Sequence, residues 1–250
     1  MINQPNWKVK NYLEVWKKDK NAIIFYPKCN SNKTREILVR SDYEKVKDYI
    51  DATQRFNAVD SIHIVCRNHL NRILSTYFDK VCENFTNDPV HRLIKLWTSH
   101  GLSHFEGFVE TTTGCEDQII SNNPMFCGKD SHIESYSRLH SKCGIMSIDE
   151  LKEKYNVKVH RVENYQSFLD DINVPKDISD EILATRTPHS LTYCNKPYKN
   201  RAFLSLNEPA FFKGKNKPTA KSMYNHEMVD MIKEYYKDDA NFDETLCEIL

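Results

Sequence analysis

Ala22-Ile23-Ile24-Phe25-Tyr26-Pro27-Lys28-Cys29-Asn30-Ser31-Asn32-Lys33-Thr34 passes from five apolar residues into a polar turn and then into helix-forming sequence. The apolar run is short and unbroken, the pattern of a strand buried on both faces. Pro27 ends it, because proline has no N–H to give to a sheet ladder. A helix starting near Lys33 completes a strand–turn–helix unit. At such a turn backbone N–H groups converge and the helix dipole favours negative charge, so the unit reads as an anion trap. Lys28 adds a mobile cation, and Ser31 and Thr34 add hydroxyls. By pattern alone, a turn that is merely polar competes with this reading. The turn lacks G-x-x-x-x-G-K-[ST], which argues against an ordinary ATPase or GTPase.

A second strand is predicted over 61–66, Ser-Ile-His-Ile-Val-Cys, and a helix follows with Leu70, Ile73, Leu74, Tyr77 and Val81 on one face. Arg67 stands at the strand end and Ser75 lies inside the helix, so a guanidinium and a hydroxyl are available to hold a second phosphate. A structural ion pair at Arg67 is the equal alternative, and Arg72 is left to the helix surface or to an ion pair. Helices are expected over 90–98 and 103–111, the second with Phe105, Phe108 and Val109 inward. Ser147-Ile148-Asp149-Glu150 has the form of a capping box. A strand over 157–162, a helix over 165–172 and an apolar stripe of Tyr224, Met228, Met231, Ile232 and Tyr235 follow. The alternation predicts one α/β domain over residues 1–250, a three-layer sandwich with a central, mostly parallel sheet flanked by helices. Ligands bind beyond the carboxyl ends of strands in such sheets, and both polar loops leave from there.

Thirty-five basic and 35 acidic residues cancel, which excludes a chain built for indiscriminate binding to nucleic acid or to acidic membranes. Residues 1–19 hold no apolar core segment, so neither a signal peptide nor an anchor is expected. Eight scattered cysteines show no C-x-x-C pair and read as thiols in a reducing compartment. The sequon Asn32-Lys33-Thr34 falls inside the proposed anion loop, where a glycan would block it. Together these predict a cytoplasmic protein, or a Golgi-lumenal one if the chain is trimmed. No metal is expected, since the His, Asp and Glu residues show no spacing such as H-E-x-x-H. The Lys, Asn and Pro-rich stretch 189–222 reads as a solvated loop, or as one that closes over a ligand.

The two polar segments, in this order and spacing, resemble the PAPS-dependent sulfotransferases, most closely their carbohydrate, Golgi-type branch. The family's first signature, a strand ending in P-K-x-G with small hydroxyl residues, corresponds to Pro27-Lys28-Cys29-Asn30-Ser31-Asn32. Its second, V-R-[DN]-P followed by x-x-R-x-x-S-x-Y, corresponds to Val65-Cys66-Arg67-Asn68-His69 and then Arg72, Ser75 and Tyr77. Leu102-Ser103-His104-Phe105-Glu106-Gly107-Phe108-Val109 is similar to the family's S-F-x-x-F-V helix, and Asp130-Ser131-His132 to its D-x-H segment. Val162-Glu163-Asn164-Tyr165 and the C-terminal Tyr235-Tyr236-Lys237-Asp238-Asp239-Ala240-Asn241-Phe242 extend the likeness over most of residues 20–243. Asn30 replaces the loop glycine, Asn32 a hydroxyl residue and His69 a proline. Asn is the non-glycine residue that best tolerates a left-handed backbone.

The resemblance implies the sulfotransferase fold and transfer of a sulfuryl group from PAPS to a hydroxyl of a carbohydrate or small metabolite, releasing PAP. Lys28 would stabilise the leaving phosphate oxygen. Pro27, Cys29, Asn30, Ser31, Asn32, Lys33 and Thr34 would wrap the 5′-phosphosulfate, and Arg67 and Ser75 would hold the 3′-phosphate. His132 would take the acceptor proton, with Glu134 and then Glu106 in reserve. The three departures motivate an alternative, a binding module that keeps PAP affinity without turnover. A divergent nucleotide kinase is a third reading, weakened by the missing Walker loop.

Overall fold

The computed structural model describes residues 13–46, 56–83, 105–114, 133–185, 193–194, 217–218 and 220–248. In chain order its elements are β1 (Glu14–Lys18), β2 (Asn21–Phe25), α1 (Ser31–Arg40), β3 (Glu44–Lys45), β4 (Ser61–Cys66), and α2 (His69–Thr76), which runs on into π-helical Tyr77–Glu83. Then come α3 (Phe105–Gly114), α4 (Tyr136–Lys142), α5 (Ile148–Lys154), β5 (Asn156–Arg161), α6 (Tyr165–Asp171) and α7 (Lys176–Ala184). The two-residue strands β6 (Tyr193–Cys194) and β7 (Lys217–Pro218), then α8 (Ala220–Met223) and α9 (His226–Tyr235), complete the order. The chain is α/β and divides into two compact units. One comprises Met1–Cys66 with Tyr136–Ala184, the other Arg67–Ser135 with Thr185–Leu250.

The first unit is built on a five-stranded sheet in the order β3-β1-β2-β4-β5. β2, β4 and β5 pair in parallel, and β1 lies antiparallel between β2 and β3. Four strands therefore run one way and β1 the other. The strand expected at 22–26 is β2, shifted by one residue, and the one expected at 61–66 is β4. Side chains alternate between faces along each strand. Ile23, Phe25 and Val65 fall on one face and are fully covered together with Ile37 and Leu38 of α1, Phe168 and Leu169 of α6, and Ile182 of α7. Tyr26 turns to the other face, where its ring lies 4.3 Å from that of Tyr136 in α4. Helices thus cover both faces of the sheet in this unit.

β1 has no counterpart among the sequence expectations. Leu13, Glu14, Val15 and Trp16 are all buried, although the flanking Lys17-Lys18-Asp19-Lys20 has the look of a solvated charge run. α5 is capped as its sequence predicts. Glu150 donates its N–H to Ser147 Oγ, and the Ser147 N–H returns to Glu150 Oε2 at 2.8 Å. Ser147→Ala is expected to cost about 1 kcal/mol, lowering the melting temperature by roughly 2–4 °C in a thermal scan.

The second unit has a helical core. Leu70, Ile73, Leu74, Tyr77 and Phe78 pack with Phe105, Phe108 and Val109 of α3 and with Met228, Val229 and Ile232 of α9. Most of these residues lie on the faces predicted for the helices around 70–81, 103–111 and 224–235, but Phe78 and Val229 join the core unpredicted, while Met231 is only half-buried and outside it. The helix expected at 90–98 lies outside the described residues, as does most of 189–222. Among the described residues, no helix is long and apolar enough to cross a membrane.

Candidate functional site

The turn between β2 and α1 is held from below. Tyr26 is fully buried, and its hydroxyl lies 2.7 Å from His140 Nε2. His140 Nδ1 faces the Met146 carbonyl at 2.8 Å. A carbonyl only accepts, so Nδ1 carries the ring proton and Tyr26 donates to Nε2. The Cys29 N–H donates back to the Tyr26 carbonyl at 3.2 Å, which tightens the turn, and the buried Cys29 Sγ sits 3.4 Å from the Tyr136 hydroxyl.

Two residues of the turn have left-handed backbones, Lys28 at φ 65° and Asn30 at φ 56°. Asn30 adopts the left-handed backbone that asparagine tolerates best among non-glycine residues. For Lys28 that conformation costs roughly 1–2 kcal/mol, because its Cβ crowds the following carbonyl. Such strain persists where the surroundings enforce it and is common at ligand sites. Asn30 is also the N-cap of α1 and makes no side-chain cap. The Ser31, Asn32 and Lys33 amides therefore have no partner within the helix. No acidic residue stands in the first turn of α1 to answer its dipole.

The structure divides the predicted loop residues into two groups. Pro27, Lys28, Asn30 and Ser31 are half-buried along the turn. Others serve packing. Thr34 Oγ1 is buried, donates to the Asn30 carbonyl at 3.0 Å and lies 2.8 Å from the Tyr165 hydroxyl, so it locks α1 to α6 and is not turned to a phosphate. Lys33 Nζ donates to the Leu183 carbonyl at 2.9 Å and ties α1 to α7. Asn32 Oδ1 accepts from Arg35, which also donates to Glu14 Oε1 at 2.8 Å. Lys33 and Thr34, expected to support the 5′ side, have their side-chain polar atoms engaged with the protein.

The turn leaves the sheet at its carboxyl edge. Phe25 pairs with Val65 and Cys66 with Arg161, so the carboxyl ends of β2, β4 and β5 lie along one edge. That edge is where ligands bind in α/β sheets. Arg161, the last residue of β5, is a cation on the same edge that spacing arguments passed over. Its Nε lies 3.9 Å from Glu163 Oε2.

In the second unit, Arg67 is half-buried and Ser75 is buried on α2. Asn68 caps α2 by accepting the Asn71 N–H at 3.2 Å, and it donates to the Glu248 carbonyl at 2.8 Å. His69 is fully buried. It stacks on Tyr236 at 3.9 Å and places Nε2 3.0 Å from Asp239 Oδ2. Arg72 is not on the helix surface: it is fully buried, and its Nη1 donates to the Glu134 carbonyl at 2.7 Å. Tyr236 donates to the neighbouring Ile133 carbonyl. Glu134, the reserve base, is buried, and its carboxylate accepts the Ser135 N–H at 3.3 Å. Glu106 on α3 receives a long contact from Asn225 Nδ2 at 3.5 Å. His132 lies outside the described residues.

No family model, curated protein or solved structure matches this chain.

Proposed function

We propose that the chain binds PAPS and transfers its sulfuryl group to a hydroxyl, with carbohydrate as the acceptor class. The observation that supports the reading is the β2–α1 turn. A lysine held in a strained left-handed backbone precedes a helix whose first amides lack a side-chain cap, at the carboxyl edge of a mostly parallel sheet. That combination suits a phosphosulfate, which needs backbone donors and a cation at the oxygen that accumulates charge. The assignment of Arg67 and Ser75 to the 3′-phosphate rests on the resemblance.

In the reaction the acceptor oxygen forms a new bond to sulfur. The bond from sulfur to the 5′-phosphate oxygen breaks, and PAP leaves with the electron pair. The acceptor proton passes to a base, for which His132 remains the choice. Lys28 would neutralise the departing phosphate oxygen. A second reading, a binding module without turnover, is favoured by the engagement of Lys33 and Thr34 in packing and by Asn30 and Asn32 in place of the family's residues.

Thermal shift with PAP, with ATP and without ligand tests the binding step. Saturating PAP at about 100 times its dissociation constant stabilises the protein by about 2.7 kcal/mol, and ATP is expected to do far less. Lys28→Gly separates the site from the fold. Glycine adopts positive φ freely, so the unliganded variant is expected to melt higher than wild type while PAP loses at least tenfold in affinity. Unchanged PAP binding by that variant would remove Lys28 from the site. Sulfate transfer to an acceptor panel then distinguishes the enzyme from the module.

A further inference from the structure

Three side chains of the first unit converge away from the β2–α1 turn. In the parallel pairing of β4 and β5, Val65 stands opposite His160 and His63 opposite Lys158. His63 and His160 are therefore diagonal neighbours on one face of the sheet. Their rings stack 5.2 Å apart at an interplanar angle of 12°, and His63 Nδ1 lies 3.0 Å from His160 Nε2. Both are buried, and the His160 ring also lies 5.3 Å from that of Phe168 in α6. Asp171, the last residue of α6, splits its carboxylate. Oδ1 accepts the Lys158 ammonium at 3.0 Å, and Oδ2 lies 3.9 Å from His160 Nδ1. One possible ligand atom from each of His63, His160 and Asp171 lies within 4.8 Å of the other two.

We propose that His63, His160 and Asp171 form a site for one divalent transition-metal cation of the zinc class, with water in the fourth position. Two imidazoles and a carboxylate are ligands that Zn²⁺ accepts in tetrahedral geometry. Around such an ion, with Zn–N of about 2.0–2.1 Å, two nitrogens stand roughly 3.3 Å apart. The 3.0 Å separation here must open by a few tenths of an ångström, both rings must turn so that their facing nitrogens share the ion, and Asp171 Oδ2, now 3.9 Å from Nδ1 of His160, must swing to the Nε2 side. Burial disfavours the charged form of both imidazoles and lowers the pKa of each, that of His63 to about 4. Lys158 holds Oδ1 and leaves Oδ2 to the ion, as outer partners of metal ligands do. The ligands come from β4, β5 and the end of α6, so the ion would clasp this helix to the sheet in a structural role. No single segment carries the site: His63 and His160 are 97 residues apart, and only the strand register brings them together.

The test uses the full chain stripped with a chelator and titrated with ZnCl₂ alone by calorimetry, then with Co²⁺ followed by visible absorption. The expected result is one saturable equivalent, intense d–d bands of a four-coordinate Co²⁺ and a raised melting temperature. Asp171 is the solvent-exposed ligand, so Asp171→Asn folds and is expected to weaken Zn²⁺ at least tenfold. His160→Gln is expected to remove the Co²⁺ bands. Absence of saturable binding overturns the proposal, and so does binding that both substitutions leave unchanged, since the ion would then sit elsewhere. PAP binding reports on the β2–α1 turn, which shares no residue with the metal cluster, and so distinguishes failure of this site from failure of the nucleotide reading.

Discussion

Arg72→Leu is expected to destabilise the second unit by about 3–5 kcal/mol, the range for removing one partner from a buried charged network. The guanidinium is fully buried and cannot lose its charge to escape the cost of burial. It donates to the Glu134 carbonyl at 2.7 Å, while Tyr236 donates to the adjacent Ile133 carbonyl. Burial pushes the Tyr236 hydroxyl up, Arg72 pulls it down, and Asp239, Cys247 and Glu134 push it up further, so Arg72 and two carboxylates all act on this one buried hydroxyl. Leucine leaves the buried Glu134 carbonyl without its donor and removes the positive charge that acts on Tyr236. A domain is stable by only about 5–15 kcal/mol, so a loss of this size consumes much of the margin. Hydrogen exchange localises the effect: amides of α3 and α9 should exchange faster, and those of β2 and β4 should keep their protection. Arg72→Lys retains the charge without the planar fork and should recover part of the loss. Wild-type exchange in α3 and α9 of the leucine variant would show that this cation contributes nothing net. The segment that Arg72 and Tyr236 pin immediately follows His132, so the same substitution is expected to disturb any role His132 has as base.

Residues whose burial follows their own chemistry were legible in the sequence. β4 was readable from Ser61–Cys66 because five consecutive residues of the run are buried. The Ser147–Glu150 box was readable because both of its hydrogen bonds are local. β1 was not. Its buried residues include Glu14, and it turns into β2 through Asp19 at φ 51°, without the Asn-Gly or Asp-Gly pair that announces a hairpin. Only pairing with β2 and the arrival of Arg35 and Lys45 from other elements make that strand worth forming. The candidate site divides in the same way. The left-handed Asn30 follows from local sequence, but the uncapped start of α1 does not, since asparagine is a favoured N-cap, and the use of Lys33 by Leu183 and of Thr34 by Tyr165 depends on partners about 130 to 150 residues away. His69 and Arg72 look like loop and surface residues in one dimension and become buried once Tyr236, Asp239 and Glu134 close over them. Polar residues of this sort are where spacing arguments fail, because their burial depends on a partner that spacing cannot see.

Glu14→Gln tests the polar anchor of the first unit and carries the second large expected effect, about 2–3 kcal/mol at neutral pH, the scale of hydrogen bonds to a charged acceptor. The carboxylate is buried on β1. It accepts Trp16 Nε1 at 2.9 Å and Arg35 Nε at 2.8 Å, with Lys45 Nζ at 3.3 Å. Burial raises its pKa, but the hydrogen bonds from Trp16 and Arg35 and the charges of Arg35 and Lys45 outweigh burial and hold it below the usual glutamate value. A folded-state pKa below the unfolded one means that the unfolded chain binds the proton more readily. The contribution of Glu14 is therefore fully present above about pH 4.5 and is lost as pH falls through the lower folded value. Glutamine, which cannot ionise, mimics the protonated acid. Urea midpoints of wild type and Glu14→Gln should therefore differ at pH 7 and converge as the medium becomes acidic. Arg35 also holds Asn32 in the first turn of α1, so the variant is expected to loosen the Lys28 turn and weaken PAP binding as well as the fold. A gap between the two chains that stayed constant from pH 7 into acid would mean that packing of the side chain, and not its charge, is what β1 requires.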